Sequence, residues 1–225
     1  MNYTLVILGV ILLVVIYILY RVISEKGKIV SKKIDLTTSN GTIGYNTLSN
    51  PTASRFSLSL WTYIETLNPS GNTEIFSIKN GANTFVSLYV STTASLKCDI
   101  RTTSGLVTSE ITSNFPLQKW NCIVISVDNK VLDFYMDGKL IRSQQLDNSL
   151  VATNKDTVIS YGACVDCKGY IANFERIPQP MDPATAWNKY MNGNGGNYFS
   201  KLLSSYGGTF TVTKDDLDLR QFTLF

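Results

Sequence analysis

Residues 120–143 read WNCIVISVDNKVLDFYMDGKLIRS. Two apolar runs, Trp120 to Val127 and Val131 to Met136, flank Asp128-Asn129, and a third segment, Lys139 to Gln144, follows Asp137-Gly138. Asn, Asp and Gly accept the positive φ of two-residue hairpin turns, so this stretch predicts three antiparallel strands joined by two tight turns. The same pattern extends outward. Phe56, Leu58, Leu60, Thr62 and Ile64 alternate with Ser57, Ser59, Trp61 and Tyr63, the period of a half-buried strand. Further short strands are expected at 74–78, 84–90, 95–102, 106–112, 157–161 and 169–177, with turn signals at Asn80-Gly81 and Ser104-Gly105. Many short strands at even spacing, in a composition rich in Thr, Ser, Asn, Gly and Tyr, predict an all-β sandwich of antiparallel sheets.

One helix is readable. Asp182 offers an N-cap, Pro183 the first helical position, and Ala184 to Met191 the body. Asn192-Gly193-Asn194-Gly195-Gly196 ends it. Beyond lies an apolar tail. It holds a short amphipathic piece with Tyr198, Phe199, Leu202, Leu203 and Tyr206, then two alternating segments around Phe210/Val212 and Leu217/Leu219/Phe222/Leu224. Such a tail is expected to pack on the domain or on a partner.

The other end is different in kind. The first twenty residues carry no charged side chain. Tyr3 to Tyr20 reads YTLVILGVILLVVIYILY. At about 1.5 Å per residue the run suffices to cross a ~30 Å hydrocarbon core. No basic residue precedes it and no alanine occurs before Ala53, so it lacks the n-region and small-residue cleavage site of a signal peptide. A single membrane anchor is expected. Leu5, Ile7, Leu12, Val15 and Ile18 would face the lipid, and Tyr3 and Tyr20 would lie at the two interfaces. Arg21, Lys26, Lys28, Lys32 and Lys33 follow against Glu25 alone. These five would contact lipid head groups, and the positive-inside rule puts the following domain on the cytosolic side. The whole chain is only +3, so the remainder is near neutral and offers no nucleic-acid footprint. The expected organisation is anchor 1–23, basic collar and polar tether 24–53, sandwich 54–192 and extension 193–225.

Composition excludes some chemistry. The chain has no histidine, which removes Ser-His-Asp and Cys-His catalysis and every His-containing metal site. The glutamates are residues 25, 65, 74, 110 and 175, none with an acidic partner two to four residues along a strand, so the carboxylate pair of a glycosidase is not evident. Asp133 and Asp137 read as edge and turn residues. No enzyme activity and no cofactor are expected. Calcium is the one open cation, but Asp128, Asp156 and Asp166 are scattered. Cys98 and Cys122 lie in strands and read as buried small hydrophobes. Cys164-Val165-Asp166-Cys167 lacks a second pair for zinc and is not at a helix start. A local disulfide and two free thiols both remain open, with free thiols the default in a cytosol. Trp61 and Tyr63, with Tyr89 and Tyr161, either face solvent as a platform for glycan or protein, or pack inside the sandwich. Trp120 and Trp187 read as core. Asn2 and Asn40 open glycosylation sequons, and Asn40 reports topology.

Three stretches together carry a resemblance: FSLSLWTYI at 56–64, PLQKWNCIVIS at 116–126 continuing through LDFYMDGKLIRS to 143, and GYIANF at 169–174 with MDPATAWNKY at 181–190. The chain resembles the laminin-G-like, concanavalin-A-like jelly-roll superfamily. More narrowly, it is similar to the membrane-anchored laminin-G-like proteins of large eukaryotic DNA viruses, of the chlorovirus and mimivirus kind. The resemblance covers roughly residues 54–225, plus the anchor by position. It implies a jelly-roll sandwich preceded by one transmembrane helix, in a structural minor capsid protein of the virion. The anchor would sit in the viral internal membrane, reached through host endomembranes. The domain would lie on the cytosolic, shell side against major or other minor capsid proteins. Such viruses often carry a thiol oxidase, which keeps a Cys164–Cys167 disulfide open on that side. The alternative is a membrane-displayed, lectin-like attachment module, with glycan as partner and the opposite topology.

Overall fold

The computed structural model describes residues 8–17, 28–30, 33–37, 40–154, 156–162, 164, 166–193, 209–214 and 217–223. Residues 8–17 form a helix, α1, with exposed apolar side chains. The strands are β1 (Lys28–Val30), β2 (Ile34–Asp35), β3 (Asn40–Gly44), β4 (Phe56–Thr66), β5 (Thr73–Asn80), β6 (Asn83–Val90), β7 (Leu96–Thr102), β8 (Gly105–Thr112), β9 (Trp120–Asp128), β10 (Val131–Met136), β11 (Lys139–Gln145), β12 (Val158–Gly162) and β13 (Lys168–Ile177). Helix α2 (Pro183–Met191) follows, and then the hairpin β14 (Thr209–Lys214) and β15 (Leu217–Thr223).

The strands make two antiparallel sheets. One runs β1-β13-β4-β9-β10-β11 with β2 also on β13, and the other runs β3-β12-β5-β6-β7-β8. The hairpin stretch supplies β9, β10 and β11, turning at Asn129 (φ 55°) and at Asp137-Gly138 (φ 50° and 76°). Alternation decides which side chains enter the space between the sheets. Leu58, Leu60 and Ile64 of β4, Ile123, Ile125 and Val127 of β9, and Leu132 and Phe134 of β10 are buried there. They meet Phe76, Ile78, Val86, Leu88, Cys98 and Ile100 from the second sheet. Phe76 and Phe174 touch across the core with ring centroids 4.6 Å apart. Each such side chain contributes about 1.5–3 kcal/mol of apolar burial.

The segment expected as collar and tether is part of the sandwich. Strands β1 and β2 pair with β13, and β3 pairs with β12 along its full length. Ile29, Val30, Leu36, Tyr45 and Leu48 reach the core. Strands of two to five residues at sheet edges are too short to show a period, which is why the sequence reads there as linker.

The outer face of the first sheet carries a second apolar cluster: Trp61, Cys122, Val124, Tyr135, Ala172, Met181 and Ala186. Helix α2 covers it. Asp182 caps the helix by accepting from the Thr185 backbone N–H at 2.7 Å, which holds its carboxyl below the ordinary range. The helix ends where Gly193 takes φ 74° and donates to the Tyr190 carbonyl.

Of the expected anchor residues, Leu12 and Val15 lie in α1, whereas Tyr3, Leu5, Ile7, Ile18 and Tyr20 lie outside the described residues. Among the described residues no helix is long and apolar enough to cross a membrane. Of the collar, Arg21, Lys26 and Lys32 also lie outside them, and only the backbone of Lys28 is described. The amphipathic piece at 198–206 falls outside as well.

Candidate functional site

Strand β13 holds a bulge against β4. Ala172 faces Trp61 and Glu175 faces Ser59, so one extra residue sits between them, and Asn173 takes φ 47°. The extra residue resets the alternation. Phe174 and Arg176 point inward, and Glu175 points out onto the face that α2 covers. Without the bulge Phe174 would face outward and Glu175 would be forced into the apolar core.

At that point the sheet and the C-terminal end of α2 leave a cleft of about 210 Å³, lined by Ser59, Trp61, Asn173, Glu175, Lys189, Asn192 and Gly193. The Lys189 ammonium forms an ion pair with Glu175, and the Ser59 hydroxyl donates to the same carboxylate at 3.5 Å. The Asn173 amide donates to the Gly193 carbonyl at 3.3 Å. Trp61 is 9% exposed, with one indole face stacked on Tyr190 at 5.8 Å and 19°. The cleft therefore combines an indole wall, one acid, one ammonium, two carboxamides and a hydroxyl. Glu175 is the single carboxylate among its described lining residues, so the cleft does not present the acid pair of a two-carboxylate glycosidase. Among the described residues no group of three or more His, Cys, Asp or Glu side chains could hold a metal ion.

The two aromatic residues singled out in the sequence part company. Trp61 lies beneath α2 and lines the cleft. Tyr63, one pleat along, is half-buried in a separate cluster with Trp120 at 5.8 Å and Tyr170 at 6.2 Å, and Lys33 places its ammonium 4.4 Å from the Tyr170 ring. Expected as core, Trp120 is half-buried and Trp187, against the Gly138 turn, is 44% exposed. Tyr89 donates to Asp99, and Tyr161 packs partly against the core.

Cys164 and Cys167 are joined in a disulfide. Cys98 and Cys122 are buried free thiols. Burial raises both, Cys122 to about 12 with Asp137 adding to the effect. Neither is placed for nucleophilic chemistry. Asn173, Asn192 and Lys189 were not legible as site residues. The one signal is local: Ile-Ala-Asn-Phe at 171–174 breaks strict alternation with an asparagine, the usual non-glycine residue at positive φ.

The sequence profile of a laminin-G-type family, described as the concanavalin A-like lectin/glucanases superfamily, matches residues 37–177. No curated protein matches the chain significantly. Among solved structures, the chain is similar to the ligand-binding domain of botulinum neurotoxin serotype D in complex with N-acetylneuraminic acid. The identity is 18% and the TM-score 0.58, over 72% of this chain and 42% of that one. It is also similar to the receptor-binding domain of botulinum neurotoxin type G, at 17% identity and TM-score 0.53, over 74% and 45%. The chain thus spans less than half the length of these domains, and at such identity the likeness is one of fold.

Proposed function

Since the chain belongs to the concanavalin A-like lectin/glucanases superfamily, we propose that it is a non-catalytic, lectin-like module, held beside a membrane by its N-terminal apolar segment, that binds a saccharide in the cleft between β13 and the end of α2. The cleft itself carries this reading. Binding sites of this kind are concave, with an apolar wall and a few convergent polar groups that fix orientation. Here the free surface of the Trp61 indole is the wall, and Glu175, Asn173, Asn192 and Lys189 supply acceptors and donors for ring hydroxyls. The volume has room for one sugar ring rather than a chain. A relative of the same fold crystallised with N-acetylneuraminic acid, and the Cys164–Cys167 disulfide fits an oxidising compartment, where glycans are displayed.

The test is a glycan array probed with the detergent-solubilised full chain and with Glu175→Gln. A defined subset of glycans should bind. The variant should bind them about tenfold or more weakly, the weight of one charged hydrogen bond. No binding, or equal binding by the variant, overturns the reading.

A second reading has its own observation. Five basic residues against one glutamate across 21–33 favour a cytosolic domain. There, in keeping with the resemblance to proteins of large DNA viruses, it would tether an internal virion membrane to the capsid shell through protein contacts. The exposed Leu140, Ile141, Trp187 and Met191 would be the contact residues. Protease protection and Asn40 glycosylation of the membrane-inserted chain decide between the two. A glycosylated, protected domain favours the lectin, and an accessible, unmodified one favours the tether.

A further inference from the structure

The pairing of β6 with β7 stops at Val86 and Ile100. Beyond it the segment 150–153 comes in beside β7 instead. Leu150 bridges Thr102, and the Val151 N–H donates to the Arg101 carbonyl at 3.1 Å. Between this segment and the loop before β4 lies a second cavity, of about 70 Å³. Its floor is buried and formed by Tyr45, Phe56 and Val86. Phe85, Leu150 and Val151 are half-buried walls, and Thr52, Ser54 and Ala152 make an exposed rim.

The opening is held by backbone contacts. Arg176 donates to the carbonyls of Asn50, Pro51 and Ala53 on one side, and the Thr153 hydroxyl ties the other side to the Pro51 carbonyl at 3.3 Å. Arg101 is the one charged residue among the described lining residues, and it is half-buried. Its Nε donates to the Thr84 carbonyl at 2.7 Å, and its two terminal nitrogens have no partner among the described residues. The acid on the same face of β7, Asp99, already accepts from Tyr89 and Thr108.

We propose that this cavity binds a short-chain aliphatic carboxylate, with the tail on the apolar floor and the carboxylate on the terminal nitrogens of Arg101. The proposal rests on neither the saccharide cleft nor the N-terminal apolar run. An apolar cavity of about 150 Å³ takes a benzene ring, so one half that size takes a tail of about three or four carbons. A guanidinium with two unpaired nitrogens matches a carboxylate in two parallel hydrogen bonds. A sugar has no tail for the floor, and a neutral alkane leaves the guanidinium unpaired.

Saturation-transfer NMR on the full chain in zwitterionic nanodiscs, with empty nanodiscs as baseline, tests this. Affinity should rise about fourfold per methylene from acetate through butyrate to valerate, the weight of one buried CH₂, and stop rising at hexanoate. Butyramide, similar in size and uncharged, should bind about tenfold or more weakly than butyrate, and Arg101→Gln should weaken butyrate by as much. Arg101 also holds Thr84, so Ala152→Leu is the second variant. It fills the cavity from the rim and should abolish binding with the melting temperature kept. No transfer to any carboxylate overturns the proposal, as does affinity independent of tail length. So does butyramide binding as tightly as butyrate, or an Ala152→Leu chain that melts like the parent and still binds. Nuclear Overhauser contacts from the Leu150 or Val151 methyls to rings of the C-terminal extension would assign the cavity to the chain's own tail, and overturn it as well.

Discussion

Arg176 is 1% exposed and has no acidic partner among the described residues. Its guanidinium donates instead to four backbone carbonyls of one loop: Ser49 at 3.3 Å, Asn50 at 3.1 Å, Pro51 at 3.1 Å and Ala53 at 3.3 Å. The Tyr45 and Phe56 rings lie within 5.2 and 4.9 Å of its central carbon. A single side chain on β13 thus fastens the loop between β3 and β4. Arg176→Ala removes the donors and leaves the acceptors. Hydrogen bonds to charged groups contribute about 1.5–3 kcal/mol each. The loop is partly solvated and regains some of this from water, so the four are not additive. Leaving a buried acceptor without its donor costs about 1–3 kcal/mol, which over four carbonyls that regain part of it from water puts the loss at about 3–5 kcal/mol. At about 2–4 °C per kcal/mol for a chain of this size, the melting temperature should fall by roughly 6–20 °C. Circular dichroism melts of the full chain in detergent would read it. Arg176→Lys should recover part of the loss, since an ammonium can reach some of the carbonyls but lacks the planar fork. Arg176→Met should recover less, because it packs on the rings and satisfies no carbonyl. A Met variant melting at or above the parent would refute the reasoning.

Three further outcomes are expected. Gly138 has φ 76°, and a Cβ there would lie 2.8 Å from the Trp187 ring and 3.1 Å from its backbone, so Gly138→Ala should cost about 1–3 kcal/mol and loosen α2, read by melting and by a change in Trp187 emission. Cys98 and Cys122 should resist a thiol reagent in the native chain and both react once it is unfolded, with rapid labelling of either contradicting their burial. The Asp182 cap contributes stability at neutral pH that should fade as pH falls through its lowered pKa, so the melting difference between the parent and Asp182→Ala should shrink in acid. A difference that stays constant across the carboxylate range would show that the carboxylate is not what caps α2.

What the sequence made legible follows from its signals. Strand β4 and the β9–β10–β11 meander announce themselves by strict alternation and by turn residues that tolerate positive φ. Helix α2 announces itself by a cap and a proline. Strands β1 to β3 do not, because edge strands this short have no period to read. Alternation also assigns a face without saying what covers it. Trp61 sits on the outer face as the pattern demands, yet α2 closes over it, whereas Trp187 lies against the Gly138 turn at the flank of that helix and stays 44% exposed. The cleft was illegible for a related reason. It depends on a one-residue bulge at Asn173 and on where α2 stops, and together these bring Glu175 to a lysine 14 positions away.

The saccharide cleft is tested most directly by saturation-transfer NMR on the full chain in bicelles, against free monosaccharides including N-acetylneuraminic acid. Transfer to the ring protons of one sugar is expected, with most of it lost in Glu175→Gln and in Asn192→Ala while the melting temperatures of both stay close to the parent. No transfer from any sugar, or transfer that both substitutions leave unchanged, would contradict a binding site between β13 and α2.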